Sequence, residues 1–231
     1  MKYFLAILPV AVFFSFIYIK DFRKEPTSML IKLGLLGCFS TFISLLFSVP
    51  MSSLKEFFGD PIFHSFYMSF LQASVPEELA KFIVLYMFVW KHRDFDDHFD
   101  GIVYSVCVSL GFALVENILY VHKGGIQVAI IRAIFSVPGH GFFGIIMGYY
   151  LTLARFSSNY LKKIYLFKAI CGSVLAHGFY DFLLFYISDL GDVKWFKSIL
   201  FVVFIWFFIK LKQFATSKVE IHLKSDFEKH F

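Results

Sequence analysis

Apolar residues fill seven stretches of this 231-residue chain, near 3–19, 29–48, 62–90, 101–121, 127–153, 164–187 and 195–211. A spanning helix takes roughly 20 apolar residues. The pattern therefore predicts an all-α fold, a polytopic membrane bundle of about seven transmembrane helices. Helix-breaking residues at both ends, Pro50 and Pro61 with Ser52, Ser53, Gly59 and Asp60 between, mark the longest outer loop. Residues 91–100, KHRDFDDHFD, form the most charged internal stretch, and Gly124 with Gly125 predicts a tight turn between the fourth and fifth helices. The first apolar run lacks a small-x-small cleavage site and leads straight into Lys20, Arg23 and Lys24, which reads as an uncleaved helix. One transmembrane domain is expected over 1–211, with a core at 62–187. A polar tail over 212–231 carries no assigned function. No internal repeat is visible, so the inverted-repeat design of many transporters gains no support.

Charge sets the orientation. Lys20, Arg23, Lys24, Lys91, Arg93, Arg155, Lys162, Lys163 and the tail lysines fall on one side. Lys2, Lys55, Lys123, Lys194 and Lys197 fall on the other. The positive-inside rule places the N-terminus outside and the tail in the cytoplasm of a multi-pass cell-membrane protein. Arg132 and Lys168, just inside their segments, are expected to snorkel. The composition agrees: 58% hydrophobic, 21% aromatic, mean hydropathy +0.71. The net charge of +5 reads as topology, since no basic cluster alternates with aromatics to suggest nucleic acid. Cys38, Cys107 and Cys171 are isolated and form no CxxC pair.

Against this apolar background stand Glu77, Glu78, Glu116, His140, His177 and Asp181. Ionisable groups at membrane depth are expensive, and they usually face a protein interior or a water-filled cavity. SVPEELAKF carries Glu77 and Glu78, about 100° apart, with Lys81 four residues after Glu77 and able to hold it ionised. Pro76 can loosen the helix just before the pair. GFALVENILY carries Glu116, a candidate ligand or the counter-ion of Lys81, Arg132 or a histidine; Gly111 lets another helix approach. In SVPGHGFFGIIMG the glycines around His140 leave room for substrate or water, and Gly144 and Gly148 extend a small face. In LAHGFYDFLLF, His177 and Asp181 share one face at i,i+4. Counting from the outer edge at 1.5 Å per residue puts Glu77 at ~22 Å, His140 at ~20 Å and His177 at ~15 Å, with Glu116 and Asp181 shallower at ~8 and ~9 Å. That is one cavity at the midplane to outer half.

EExxK, EN, a histidine and HGxxD, in this order on successive helices from Val75 to Phe182, resemble the PrsW family of intramembrane proteases. That family is related to the type II CAAX prenyl endopeptidases and the bacterial immunity-type membrane proteases. Lys81 stands one position short of the arginine of their EExxxR motif, and Asp181 stands where the prenyl endopeptidases often have asparagine. The resemblance implies an intramembrane endopeptidase with Glu77 as general base and His140 sharing the activated water. His177, oriented by Asp181, would donate to the oxyanion, while Glu78 and Glu116 hold the histidines or the helix packing. It further implies a single-span substrate such as an anti-sigma factor, cut on its extracytoplasmic side. No cofactor is certain. A divalent metal such as zinc remains open, with Glu77, Glu116, His140 and His177 as candidate ligands, although no HExxH is present. The competing readings are a proton- or ion-coupled transporter using the same buried groups as a relay, and a catalytically silent binding protein.

Overall fold

The computed structural model describes residues 2–231; Met1, at the head of the expected domain, lies outside the described residues. Among the described residues every regular element is helical: α1 (Lys2–Lys20), α2 (Thr27–Met51), α3 (Pro61–Phe66), α4 (Val75–Val89), α5 (Asp100–Ile131), α6 (Val137–Arg155), α7 (Asn159–Asp189) and α8 (Lys194–His230). Five helical stretches of the described residues are long and apolar enough to cross a membrane: Tyr3–Lys20, Thr27–Phe57, Asp100–Arg155, Asn159–Asp189 and Lys194–His230. The 56-residue stretch would be ~84 Å long if straight. It doubles back at Gly125, whose φ of 72° and ψ of −157° break the helix where the Gly-Gly pair predicted a turn. Only glycine enters that region without a steric penalty.

The centre of the bundle is α5, buried on all sides from Asp100 to Ala113. A helix apolar all round belongs in an interior. It is flanked by α1, α2 and α6, and small residues set how close they come. A Cβ on Gly111 would lie 2.1 Å from the Gly34 carbonyl oxygen of α2, and one on Gly148 of α6 would lie 2.3 Å from that of Gly101. The small face expected on α6 is therefore a contact between backbones. The outward faces of α1, α2 and α8 expose Phe16, Ile31, Leu46, Val202 and Trp206 among others. Such a girdle suits hydrocarbon and would be an aggregation surface in water.

Three expectations change. The outer loop shrinks to Phe58, Gly59 and Asp60. Helix α2 runs through Pro50, a 3-10 turn covers Ser52–Phe57, and Asp60 Oδ1 caps α3 by accepting from Ile62 N at 2.9 Å. Secondly, α8 continues unbroken past residue 211 to His230, so the tail is helical. Thirdly, two of the four helices that carry the ionisable groups are entered through π-helical turns, Tyr67–Ser74 before α4 and Arg132–Ser136 before α6. Each π-turn ends at a Ser-Val-Pro triplet, 74–76 and 136–138. The proline has no N–H for the carbonyl four residues back, and widening the turn to i→i+5 relieves the ring clash.

Candidate active site

Helices α4, α5, α6 and α7 bring all six of the singled-out residues together. Glu78 is fully buried, and Lys81 is 1% exposed. Lys81 Nζ donates to Glu78 Oε1 at 2.7 Å and to His140 Nδ1 at 3.2 Å, and lies 3.6 Å from Glu77 Oε2. Its nearest carboxylate is thus Glu78, where the i,i+4 spacing pointed to Glu77. The Phe112 ring lies 4.1 Å beneath the ammonium and adds a cation–π contact.

The histidines are held from both sides. An ammonium only donates, so His140 Nδ1 accepts from Lys81 and its Nε2–H points to Glu116 Oε2 at 2.8 Å. His177 Nδ1 meets Glu78 Oε1 at 2.9 Å, and its ring stacks on Phe143 at 4.7 Å. The other nitrogen, Nε2, faces Asp181 Oδ2 at 3.2 Å and Glu77 Oε2 at 3.9 Å. Glu78 thus takes the orienting place expected of Asp181, which lies on the open side of the ring. A cavity of about 160 Å³ is lined by Glu77, Glu116, His140, His177 and Asp181, and Arg132 forms part of its wall. The three carboxylates facing it, Glu77, Glu116 and Asp181, keep 15–19% of their side-chain surface exposed.

Glu116 was expected well above His140, yet the two are hydrogen-bonded. From the Gly125 turn they are ~14 and ~22 Å along α5 and the following helix. Side chains lean toward their own helix N-terminus. The two helices are antiparallel, so Glu116 leans away from the turn and His140 toward it, which closes the gap. The glycines beside His140 are not spare room. A Cβ on Gly141 would come within 2.3 Å of the Phe13 ring, and one on Gly139 would make ordinary contact with Phe143 and Tyr180.

Arg132 was expected to snorkel and instead turns inward. Its Nε donates to Asn117 Oδ1 at 2.8 Å and its Nη2 to Glu116 Oε2 at 3.1 Å, with the guanidinium 4.4 Å over Tyr120. Asn117 Nδ2 in turn donates to the Ala6 carbonyl of α1. In a regular helix residues eight apart diverge by ~80°, so spacing separates Arg132 from His140. The extra residue of the π-turn makes eight act as seven, which restores a common face. Lys168 stays exposed beside Tyr165, as expected.

A divalent ion fits the donor set. Glu77, Glu78, His140 and His177 each offer a ligand atom within 4.8 Å of the others. Oε2 of Glu77 and of Glu78 are buried with no hydrogen-bond partner. Glu78 stands in this set where Glu116 was expected; Glu116 is engaged by His140 and Arg132. The Lys81 ammonium is the cation already among these groups.

Comparison with known proteins accords with this geometry. Residues 25–210 match the PrsW family of intramembrane metalloproteases. The chain is 42% identical to Protease PrsW of Oceanobacillus iheyensis over 77% of its own length and 80% of that protein. It is 38% identical to Protease PrsW of Bacillus subtilis, covering 87% and 89%, and 34% identical to that of Clostridioides difficile, covering 96% and 93%. No solved structure matches. A girdle of exposed apolar residues, a buried carboxylate–histidine cluster and this likeness over nearly the whole length lead to one conclusion: the chain is a multi-pass membrane protease belonging to the PrsW family.

Proposed function

We propose that the chain hydrolyses a peptide bond of a single-span, membrane-anchored regulator of the anti-sigma-factor type, on its extracytoplasmic side. The supporting observation is the convergence of Glu77, His140, His177 and Asp181 on one small cavity. In this reading the chain crosses the membrane seven times, N-terminus outside and C-terminus cytoplasmic, because the doubling at Gly125 and the π-bent third segment each add a crossing. The protease domain spans 1–211, with its core at 62–187.

Glu77, with an unpartnered oxygen at the cavity, takes a proton from water as the water oxygen attacks the scissile carbonyl carbon. His140 Nε2, fixed by Glu116, borders the same space and positions that water. Nε2–H of His177 donates to the developing oxyanion, and the buried Glu78 carboxylate on Nδ1 holds the ring in that orientation. The proton then passes from Glu77 to the leaving amine as the C–N bond breaks, with no covalent intermediate. Asp181 accepts from His177 Nε2–H until the oxyanion forms. A divalent ion such as zinc, if held by Glu77, Glu78, His140 and His177, would take the place of the hydrogen bonds on the Nδ1 atoms of the two histidines and would supply Lewis-acid polarisation of the carbonyl and of water.

Co-expression of candidate single-span proteins with wild type and with Glu77→Gln, followed by blotting, tests the assignment. Glu77→Gln is expected to reduce fragment yield by at least about 100-fold, the usual weight of a general base. Equal fragments from both would overturn it, as would ion flux abolished by Glu77→Gln with no polypeptide cut. Metal analysis should show an ion bound by purified wild type and lost from His140→Ala.

A further inference from the structure

A second cavity of about 230 Å³ adjoins the catalytic one. The two share Ala73, Glu77, Glu116, Tyr120 and Phe185. From there it runs between α2 and the π-turn ahead of α4, past Thr41 and Gln72 to Ser48. At 1.5 Å per residue, Thr41 lies ~15 Å and Ser48 ~5 Å from the end of α2 at Met51. Its walls set polar side chains among apolar ones such as Leu45, Met68 and Leu119. Thr41 Oγ1 and Gln72 Oε1 are both buried and without a hydrogen-bond partner, and Thr41 is 3% exposed. By contrast, the groove between α1 and α2 is lined almost wholly by apolar side chains such as Ile7, Val10, Leu30 and Leu35.

A peptide bond inside a helix has both polar groups engaged and its carbonyl shielded, so a protease needs its substrate extended. An extended strand at membrane depth carries bare N–H and C=O groups, tolerated only where protein or water meets them. We propose that this groove seats an extended segment of a single-span membrane protein, with Gln72 Oε1 accepting from a substrate N–H and the Thr41 hydroxyl donating to a substrate carbonyl. The inference rests on the protease reading and assigns that site its substrate channel. A lipid acyl chain in the groove would leave both side chains unsatisfied.

The test uses chain inactivated by Glu77→Gln, with Leu45→Cys placed in the groove and Cys38, Cys107 and Cys171 changed to alanine. Leu45 lines the groove and is 40% exposed. The protein is reconstituted in phosphatidylethanolamine and phosphatidylglycerol vesicles with either of two synthetic single-span peptides. One carries its only cysteine in a Gly-Pro-Ser-Ala stretch beyond a Leu/Ala helix; the other carries it within an uninterrupted Leu/Ala helix. The first peptide should form the disulfide in clear excess over the second. Thr41→Val and Gln72→Met should each lower that yield about fivefold, the worth of one net hydrogen bond. Thr41→Ser, which keeps the hydroxyl, should retain it and guards against misfolding. Equal capture of both peptides, capture of neither, or no response to either variant would overturn the proposal. Capture without cleavage of any single-span protein by the wild type would instead sink the protease reading and leave the groove standing.

Discussion

Lys81 is the most constrained residue in the site, because its ammonium is the shared partner of Glu78 and His140 and the close neighbour of Glu77. Removing one member of a buried pair strands the other, and that loss exceeds the net worth of the pair. Lys81→Met is therefore expected to lower stability in detergent by about 3–5 kcal/mol. Lys81→Met with Glu78→Gln should recover a large part of that, since the fully buried carboxylate that loses its ammonium is then replaced by a neutral amide. Thermal or denaturant unfolding of the two variants checks this; a double variant no more stable than the single would show that charge pairing is not what Lys81 supplies. The six residues stand out in the sequence by position, because a carboxylate or imidazole in an apolar run is conspicuous. Their pairing was not. Adjacent Glu77 and Glu78 are equivalent in sequence, and only the packing of α7 against α4 directs His177 Nδ1 to one of them.

At the scale of elements, the two π-turns set the register of the site. Pro138 deprives the Ile134 carbonyl of a donor, and the inserted residue rotates Arg132 onto the face of His140, where it holds Glu116. Periodicity arguments assume 3.6 residues per turn throughout, so neither the inward turn of Arg132 nor its bond to Asn117 follows from spacing. The signal that was present is the repeated Ser-Val-Pro, one copy directly ahead of Glu77 and the other one residue short of His140. Pro138→Ala should restore the missing N–H and let the helix regularise, rotating the segment before it by about 100°. The expected result is a chain at least as stable as wild type in thermal unfolding but about 100-fold less active in fragment yield, the size of effect that a displacement of about 1 Å produces. Undiminished cleavage by a well-folded Pro138→Ala chain would show that the π-turn has no part in aligning the site.

For the whole molecule, the far end of α8 ties back to the start of the central helix. Asp226 Oδ1 and Oδ2 accept from the backbone N–H groups of His98 and Phe99, each at 2.7 Å, so the N-terminus of α5 is capped by a residue more than a hundred positions away. A second clasp forms where Lys229 and His230 reach Asp97 Oδ1 at 2.7 and 2.8 Å and Arg23 reaches its Oδ2 at 2.9 Å. Burial alone would raise the Asp97 pKa, but the hydrogen bonds from Lys229 and His230 and the charges of Lys229 and Arg23 outweigh it and hold the carboxyl low. A depressed carboxylate adds stability above its unfolded value and loses it only as pH falls through the folded one. This contribution is therefore intact at neutral pH. Mixed charge over 212–231 reads only as a polar tail because its partners in 94–100 are distant in sequence; the helical continuation carries them into contact. Asp226→Ala should cost about 1–2 kcal/mol, as the loss of a helix cap does. By loosening the helix that carries them, it should also make the already exposed Lys224 and Lys229 readily cut by trypsin in inside-out vesicles. Phe99 is ~26 Å along α5 from Glu116, so the cap supports the fold and not the chemistry, and cleavage per folded molecule should stay unchanged. A variant that keeps its thermal midpoint and its trypsin resistance would show that the clasp carries no stability. A fall in activity beyond the fall in folded protein would show instead that the tail acts on the site through α5.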